Sequence, residues 1–115
     1  MMELVKVDSK VKISLKDGTV REYNSFKLGK YEVEEYTVTT YEDGKSYKRV
    51  AVSKDWDERY LPEINYCDDI LGEKAPEFKI QTTAYGALKP EEIEKVVEGY
   101  KEALEAVEIL TANFC

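Results

Sequence analysis

The sequence predicts an α+β fold: an antiparallel sheet of about five to six strands packed on one C-terminal amphipathic helix. Three observations predict it. Two Asp-Gly pairs, Asp17-Gly18 and Asp43-Gly44, each divide stretches rich in Val, Ile, Tyr and Thr, which is the signature of a β-hairpin. A later stretch, Phe78 to Tyr85, alternates Phe78, Ile80 and Thr82 with polar residues and ends at Gly86, as a strand does. From Pro90 to about residue 112, apolar residues recur at helical spacing. The chain has 115 residues, which is room for one domain, 1–115, with one core.

The elements follow in order. Residues 3–8 read as a short first strand. Val11, Ile13 and Leu15 alternate with Lys10, Lys12, Ser14 and Lys16, a half-buried strand with one solvent face. The return strand starts at Thr19-Val20 and carries Tyr23 and Phe26. A two-residue turn pairs Leu15 with Val20, whereas a bulged turn shifts the register by one. The strand from Tyr31 to Tyr41 breaks parity: Tyr31 and Val33 share one face, Tyr36 and Val38 the other. An extra residue near Glu34-Glu35 repairs this, so a β-bulge is expected there. Ser46 to Ser53 returns with Val50 and Val52 on the core face.

Residues 55–77 keep no period of 2 or 3.6, and Pro62 and Pro76 interrupt them. A short helical turn is expected at Asp68–Leu71, ended by Gly72. Trp56, Tyr60, Leu61, Ile64, Tyr66, Ile70 and Leu71 are expected to pack this long connection down onto the core.

Pro90 suits the first helical position, and Glu91 and Glu92 complement the helix dipole. At about 100° per residue, Ile93, Val96, Val97, Tyr100, Leu104, Val107 and Phe114 fall on one stripe, the expected core face. Gly99, Ala103 and Ala106 line its edge, where small side chains permit a tight helix–sheet contact. The opposite face carries Glu91, Glu94, Glu98, Glu102, Glu105 and Glu108, offset in part by Lys95 and Lys101. Glu94–Glu98 and Glu98–Glu102 are like-charge pairs at i,i+4, each costing a few tenths of a kcal/mol. Ile109 points to this polar face as an exposed apolar residue.

Charge is uneven. Residues 1–54 hold nine acids and eleven bases, residues 55–77 eight acids and two bases, and residues 78–115 seven acids and four bases, giving −7 in total. Direct binding to DNA or RNA is not expected of this balance, because phosphate contacts need clustered Lys and Arg. An acidic surface favours a basic partner.

The chemistry of the residues excludes more. No histidine is present, so Ser-His-Asp and Cys-His catalysis are excluded. The two cysteines, Cys67 and Cys115, make neither a disulfide framework nor a structural zinc site. Cys67 reads as a small buried hydrophobe, and the neighbouring Asp68 and Asp69 offer nothing to activate its thiol. The six glycines are isolated, so no phosphate-binding loop exists. Asp55-Trp56-Asp57-Glu58 lacks the central glycine and distal glutamate of a calcium loop. No cofactor and no metal site are expected.

No apolar run approaches the ~20 residues that span a bilayer, and the start, Met1-Met2-Glu3-Leu4-Val5-Lys6, lacks a signal-peptide core. A cytoplasmic location without membrane contact is the expectation.

What remains is acids interleaved with aromatics. Asp55, Trp56, Asp57, Glu58, Tyr60, Glu63, Asp68, Asp69 and Glu73, with Glu94, Glu98 and Glu105 of the helix, are the expected partner-binding residues, because Tyr and Trp anchors ringed by charge make protein–protein hot spots. The expected function is therefore a non-catalytic interaction module for a basic protein. Its sharp form is an acidic inhibitor or decoy that imitates nucleic-acid phosphates. In size, acidity and lack of catalytic motifs the chain is similar in type to small phage-encoded inhibitors such as anti-CRISPR proteins, although no motif ties it to a family. Two alternatives stand beside it: a small ligand-binding or carboxylate-based enzyme domain, and a homo-oligomeric accessory protein joined through a strand edge or the Gly99–Ala103–Ala106 edge. Whether the acidic segment and the acidic helix face adjoin decides how much weight the binding reading carries.

Overall fold

Four consecutive strands form an antiparallel meander in a computed structural model that describes residues 2–67 and 76–115. They are β1 (Leu4–Ser14), β2 (Thr19–Leu28), β3 (Tyr31–Thr40) and β4 (Ser46–Lys54), in that spatial order. A second, two-stranded antiparallel sheet follows, β5 (Glu63–Cys67) and β6 (Glu77–Gln81), then the helix α1 (Pro90–Phe114). The α+β class is as the sequence predicts, but the six strands divide between two sheets rather than forming one. β5 lies within the segment read as aperiodic, and the expected turn at Asp68–Leu71, with Asp68, Asp69 and Glu73, falls outside the described residues.

The hairpin turns set the registers. Ile13 pairs with Val20 and Ser14 with Thr19, so the first loop holds four residues, Leu15 to Gly18, and neither expected register is adopted. Leu28 faces Tyr31 across Gly29-Lys30. Gly29 takes φ of +59° at the first of these two positions, where a two-residue turn requires a left-handed residue. The bulge expected at Glu34-Glu35 is absent: β3 pairs without a break with β2 and with β4. The register shifts instead in β1, between Lys6 and Asp8. The parity break in β3 has another cause, because its two halves bury opposite faces. Tyr31 and Val33 point into the core, while Val38 is buried on the outer face between Arg21 and Tyr47, its cross-strand neighbours.

The core sits at one end of the long sheet. Leu28, Tyr31, Val33 and Val50 meet Leu61, Ile64 and Phe78, and the helix closes the cluster with Ala103, Ala106, Leu110 and Phe114. Phe26 packs edge-on to Phe114, with ring centroids 5.4 Å apart. Each such Leu, Ile, Val or Phe contributes about 1.5–3 kcal/mol by leaving water. Tyr31 is buried among them and its hydroxyl donates to the Pro62 carbonyl at 2.6 Å. Burial, and the negative charge of Glu102, raise its phenol well above the ordinary 10.0.

The other end of the sheet projects uncovered, which makes the molecule 57 Å long and 25 Å thick. Val11, Ile13 and Leu15, expected to be half-buried, are exposed there. Its outer face gathers Lys10, Tyr23, Tyr36 and Arg49 in one cross-strand row and Lys12, Arg21, Val38 and Tyr47 in the next.

The helix is rotated from its expected seat. Gly99, Ala103, Ala106, Leu110 and Phe114 are its buried residues, so the small-residue edge is the core face. It is therefore not available as an interface between copies. Ile93, Val97 and Leu104, expected in the core, are 51%, 47% and 60% exposed. The physical reason is the loop beneath: a Cβ on Gly99 would lie 2.0 Å from the Tyr60 carbonyl oxygen, so only glycine admits this approach. Ile109, expected on the solvent side, packs against the core.

Candidate protein-binding face

Of the acids in the loop after β4, Glu58 adjoins the acidic helix face. Lys54 starts the arrangement: its ammonium donates to the Glu58 carbonyl at 2.7 Å, while the Glu58 and Leu61 amides donate to the Asp55 and Glu58 carbonyls in two successive tight turns. These turns place Tyr60 and Leu61 under Gly99. Lys30, from the turn between β2 and β3, then bridges the two acidic elements. Its Nζ lies 3.7 Å from Glu58 and 4.0 Å from Glu102.

Tyr60 ties the loop to the first turn of the helix. Its hydroxyl donates to Glu92 Oε2 at 2.6 Å, and its ring lies 5.9 Å from that of Tyr85. Arg59 and Lys95 stand 5.2 and 5.7 Å from the Tyr60 ring centre, within cation–π range. The other Glu92 oxygen accepts the Lys89 backbone N–H at 3.2 Å, the return half of a capping box. The Tyr60 hydrogen bond, with the Lys89 amide, holds the Glu92 carboxyl below its ordinary 4.5. The same bond, with burial, raises the Tyr60 phenol.

Between loop and helix runs an open groove of about 760 Å³, lined on its acidic side by Glu58, Glu91, Glu94, Glu98 and Glu102 and reaching Ile93 and Val97. Glu91, Glu94 and Glu98 are exposed and carry no ion pair among the described residues. The groove thus offers unpaired carboxylates, in excess over Lys30 and Lys95, beside exposed branched apolar side chains.

The expected site residues are distributed unevenly. Glu58, Tyr60, Glu94 and Glu98 line the groove. Glu105 lies farther along the helix, where it accepts the Met2 amide at 2.9 Å. Trp56 and Glu63 line a separate recess on the other side of the loop, with Tyr31, Lys54 and Ile64. Trp56 does not pack down as expected. It is 93% exposed, in the turn that the Glu58 amide closes on the Asp55 carbonyl. Asp55 and Asp57 are exposed beside it and line neither recess. Asp68, Asp69 and Glu73 lie outside the described residues. Sequence reasoning missed Lys30 as the bridge, and it missed Ile93 and Val97 as surface. The signal for the latter was present: Gly99, Ala103, Ala106 and Leu110 form a second seam at spacings of four, three and four.

Among the described residues no group of three His, Cys, Asp or Glu side chains is placed to hold a metal ion. Cys67 is half-buried rather than buried and, like Cys115, is a free thiol; burial raises the Cys115 thiol. No helix among the described residues is long and apolar enough to cross a membrane. No protein-family model matches the chain, and no curated protein or solved structure matches it either.

Proposed function

We propose that this protein is a non-catalytic interaction module that binds a basic protein through the acidic face of loop and helix. The observation that carries the reading is the Lys30 bridge between Glu58 of the loop and Glu102 of the helix, in the groove that Glu94 and Glu98 also line. A row of like charges costs stability locally, a few tenths of a kcal/mol per i,i+4 pair. A cationic partner turns that cost into attraction and steers association. The decoy form of the reading takes as partner a nucleic-acid-binding protein whose phosphate-binding groove accepts carboxylates at similar spacing. The alternative of a carboxylate-based enzyme draws no support from the groove, which is open and whose acids are exposed or half-exposed.

The test is a titration against a panel of basic nucleic-acid-binding proteins between 50 and 500 mM salt (roughly 14 to 4 Å in Debye length). Binding is expected to weaken steeply with salt and to fall at least tenfold when Glu94 and Glu98 are both changed to Gln. Binding indifferent to salt and to both substitutions overturns the reading.

A further inference from the structure

The helix buries Gly99, Ala103 and Ala106 and leaves a row of larger apolar residues in water. Ile93, Val97 and Leu104 are each about half exposed, and the half-buried Tyr100 stands between them. Their spacing, four, three and four, is that of a coiled-coil seam. The ridge runs for about 16 Å at 1.5 Å per residue, three turns of helix. The core contact is made by a different stripe of the helix, Ala103, Ala106, Leu110 and Phe114. Exposed together, Ile93, Val97 and Leu104 form an apolar strip, and such strips mark contact surfaces.

The flank of the strip says what fits it. Glu94 and Glu108 run alongside and Glu98 lies one row farther out, all exposed and unpaired among the described residues, with Lys101 in the near row and Lys95 beyond it. A second copy of this chain laid on the strip brings acids against acids, on a molecule already at −7. A helix with an apolar stripe and Lys or Arg beside it meets both features at once. A straight ridge with seam spacing matches a helix better than a strand, whose side chains repeat every two residues.

We infer that the partner element is an amphipathic basic helix, packed along Ile93, Val97 and Leu104 with its cations against Glu94 and Glu108 and reaching toward Glu98. The inference rests on the acidic-face reading above and names the element of the partner that the face receives.

The probe is a synthetic 21-residue peptide with Leu at heptad a and d positions and Lys or Arg elsewhere, labelled for fluorescence anisotropy against the full chain. Its control has the same composition in scrambled order, so equal charge without an apolar stripe. The heptad peptide is expected to bind at least tenfold more tightly than the control. V97S/L104S is expected to remove most of that difference while lowering thermal stability only slightly, since both residues are about half exposed. E94Q/E98Q is expected to weaken both peptides and flatten the salt dependence. I13S, on the uncovered sheet end, is expected to change nothing. Equal binding of both peptides, or indifference to V97S/L104S, overturns the helix inference and leaves the acidic-face reading intact. Binding of neither peptide at low salt overturns both. Self-association on sedimentation that V97S/L104S abolishes assigns the strip to a second copy and overturns the inference.

Discussion

The two ends of the long sheet are made of the same strands and behave as different materials. At the Leu28–Tyr31 end, one face is sealed by β5, β6 and the helix, and Leu28, Tyr31 and Val33 are nearly inaccessible. At the Leu15–Gly18 end, neither face is covered, and Val11, Ile13 and Leu15 stand in water. Cross-strand hydrogen bonds and side-chain pairs alone hold that end, at about 0.2–1 kcal/mol per pair. Burial, not strand propensity, therefore decides where stability resides: the best β-formers of β1 contribute least.

Substitutions can break or sharpen this contrast. Leu110→Ala in the sealed end is expected to cost about 2–5 kcal/mol by denaturant unfolding, since it leaves a cavity between helix and sheet. Gly99→Ala is expected to destabilise by about 1–3 kcal/mol through overpacking against the Tyr60 carbonyl, although Ala is the better helix former by about 1 kcal/mol. The sign of that change alone reports whether the helix rests on the loop. Tyr31→Phe is expected to cost about 1–3 kcal/mol, because the Pro62 carbonyl loses its partner in a dry site. Ile13→Thr at the uncovered end is expected to stay within about 0.5 kcal/mol.

The pH dependence is the smallest effect, and it samples both ends. Asp17 at the uncovered tip is lowered by hydrogen bonds from Thr19 and Ser14, and Glu92 by those from Tyr60 and Lys89. A carboxyl lowered by folding stabilises above its unfolded value and stops doing so as pH falls through its folded value. The melting temperature is therefore expected to drop as pH is taken from 5 toward 2, below the ordinary values of 3.8 and 4.5. Glu92→Gln and Asp17→Asn should each make that drop shallower; unchanged profiles count against these hydrogen bonds.

Much of the fold was legible in the sequence because turns and caps are local. Asp17-Gly18, Asp43-Gly44 and Pro90 marked their elements from neighbouring residues alone. The rotation of the helix was not legible, since two seams of equal spacing compete and the winner depends on how closely the Tyr60 carbonyl approaches Gly99. Strand β5 was hidden because Glu63-Ile64-Asn65-Tyr66-Cys67 is short and its neighbour in sequence is a pair of tight turns. For the candidate face, the acids were readable one by one. Their contiguity was not, because it depends on Lys30, which lies some thirty residues from one acid and seventy from the other. The outer sheet face shows the same limit: a near-neutral average over residues 1–54 conceals Lys10, Lys12, Arg21 and Arg49 on one side, sorted by register.

The shift in β1 between Lys6 and Asp8 bears on how these molecules keep company at high concentration. β1 is a free edge eleven residues long, and such an edge is a template on which a neighbour's strand can zip. The misalignment breaks the template into two short runs, and Lys6, Lys10 and Lys12 beside it repel an identical visitor. Straightening the strand by deleting Val7, or removing the lysines, converts a boundary into a docking rail; turbidity and thioflavin fluorescence on shaking are expected to rise in those variants first.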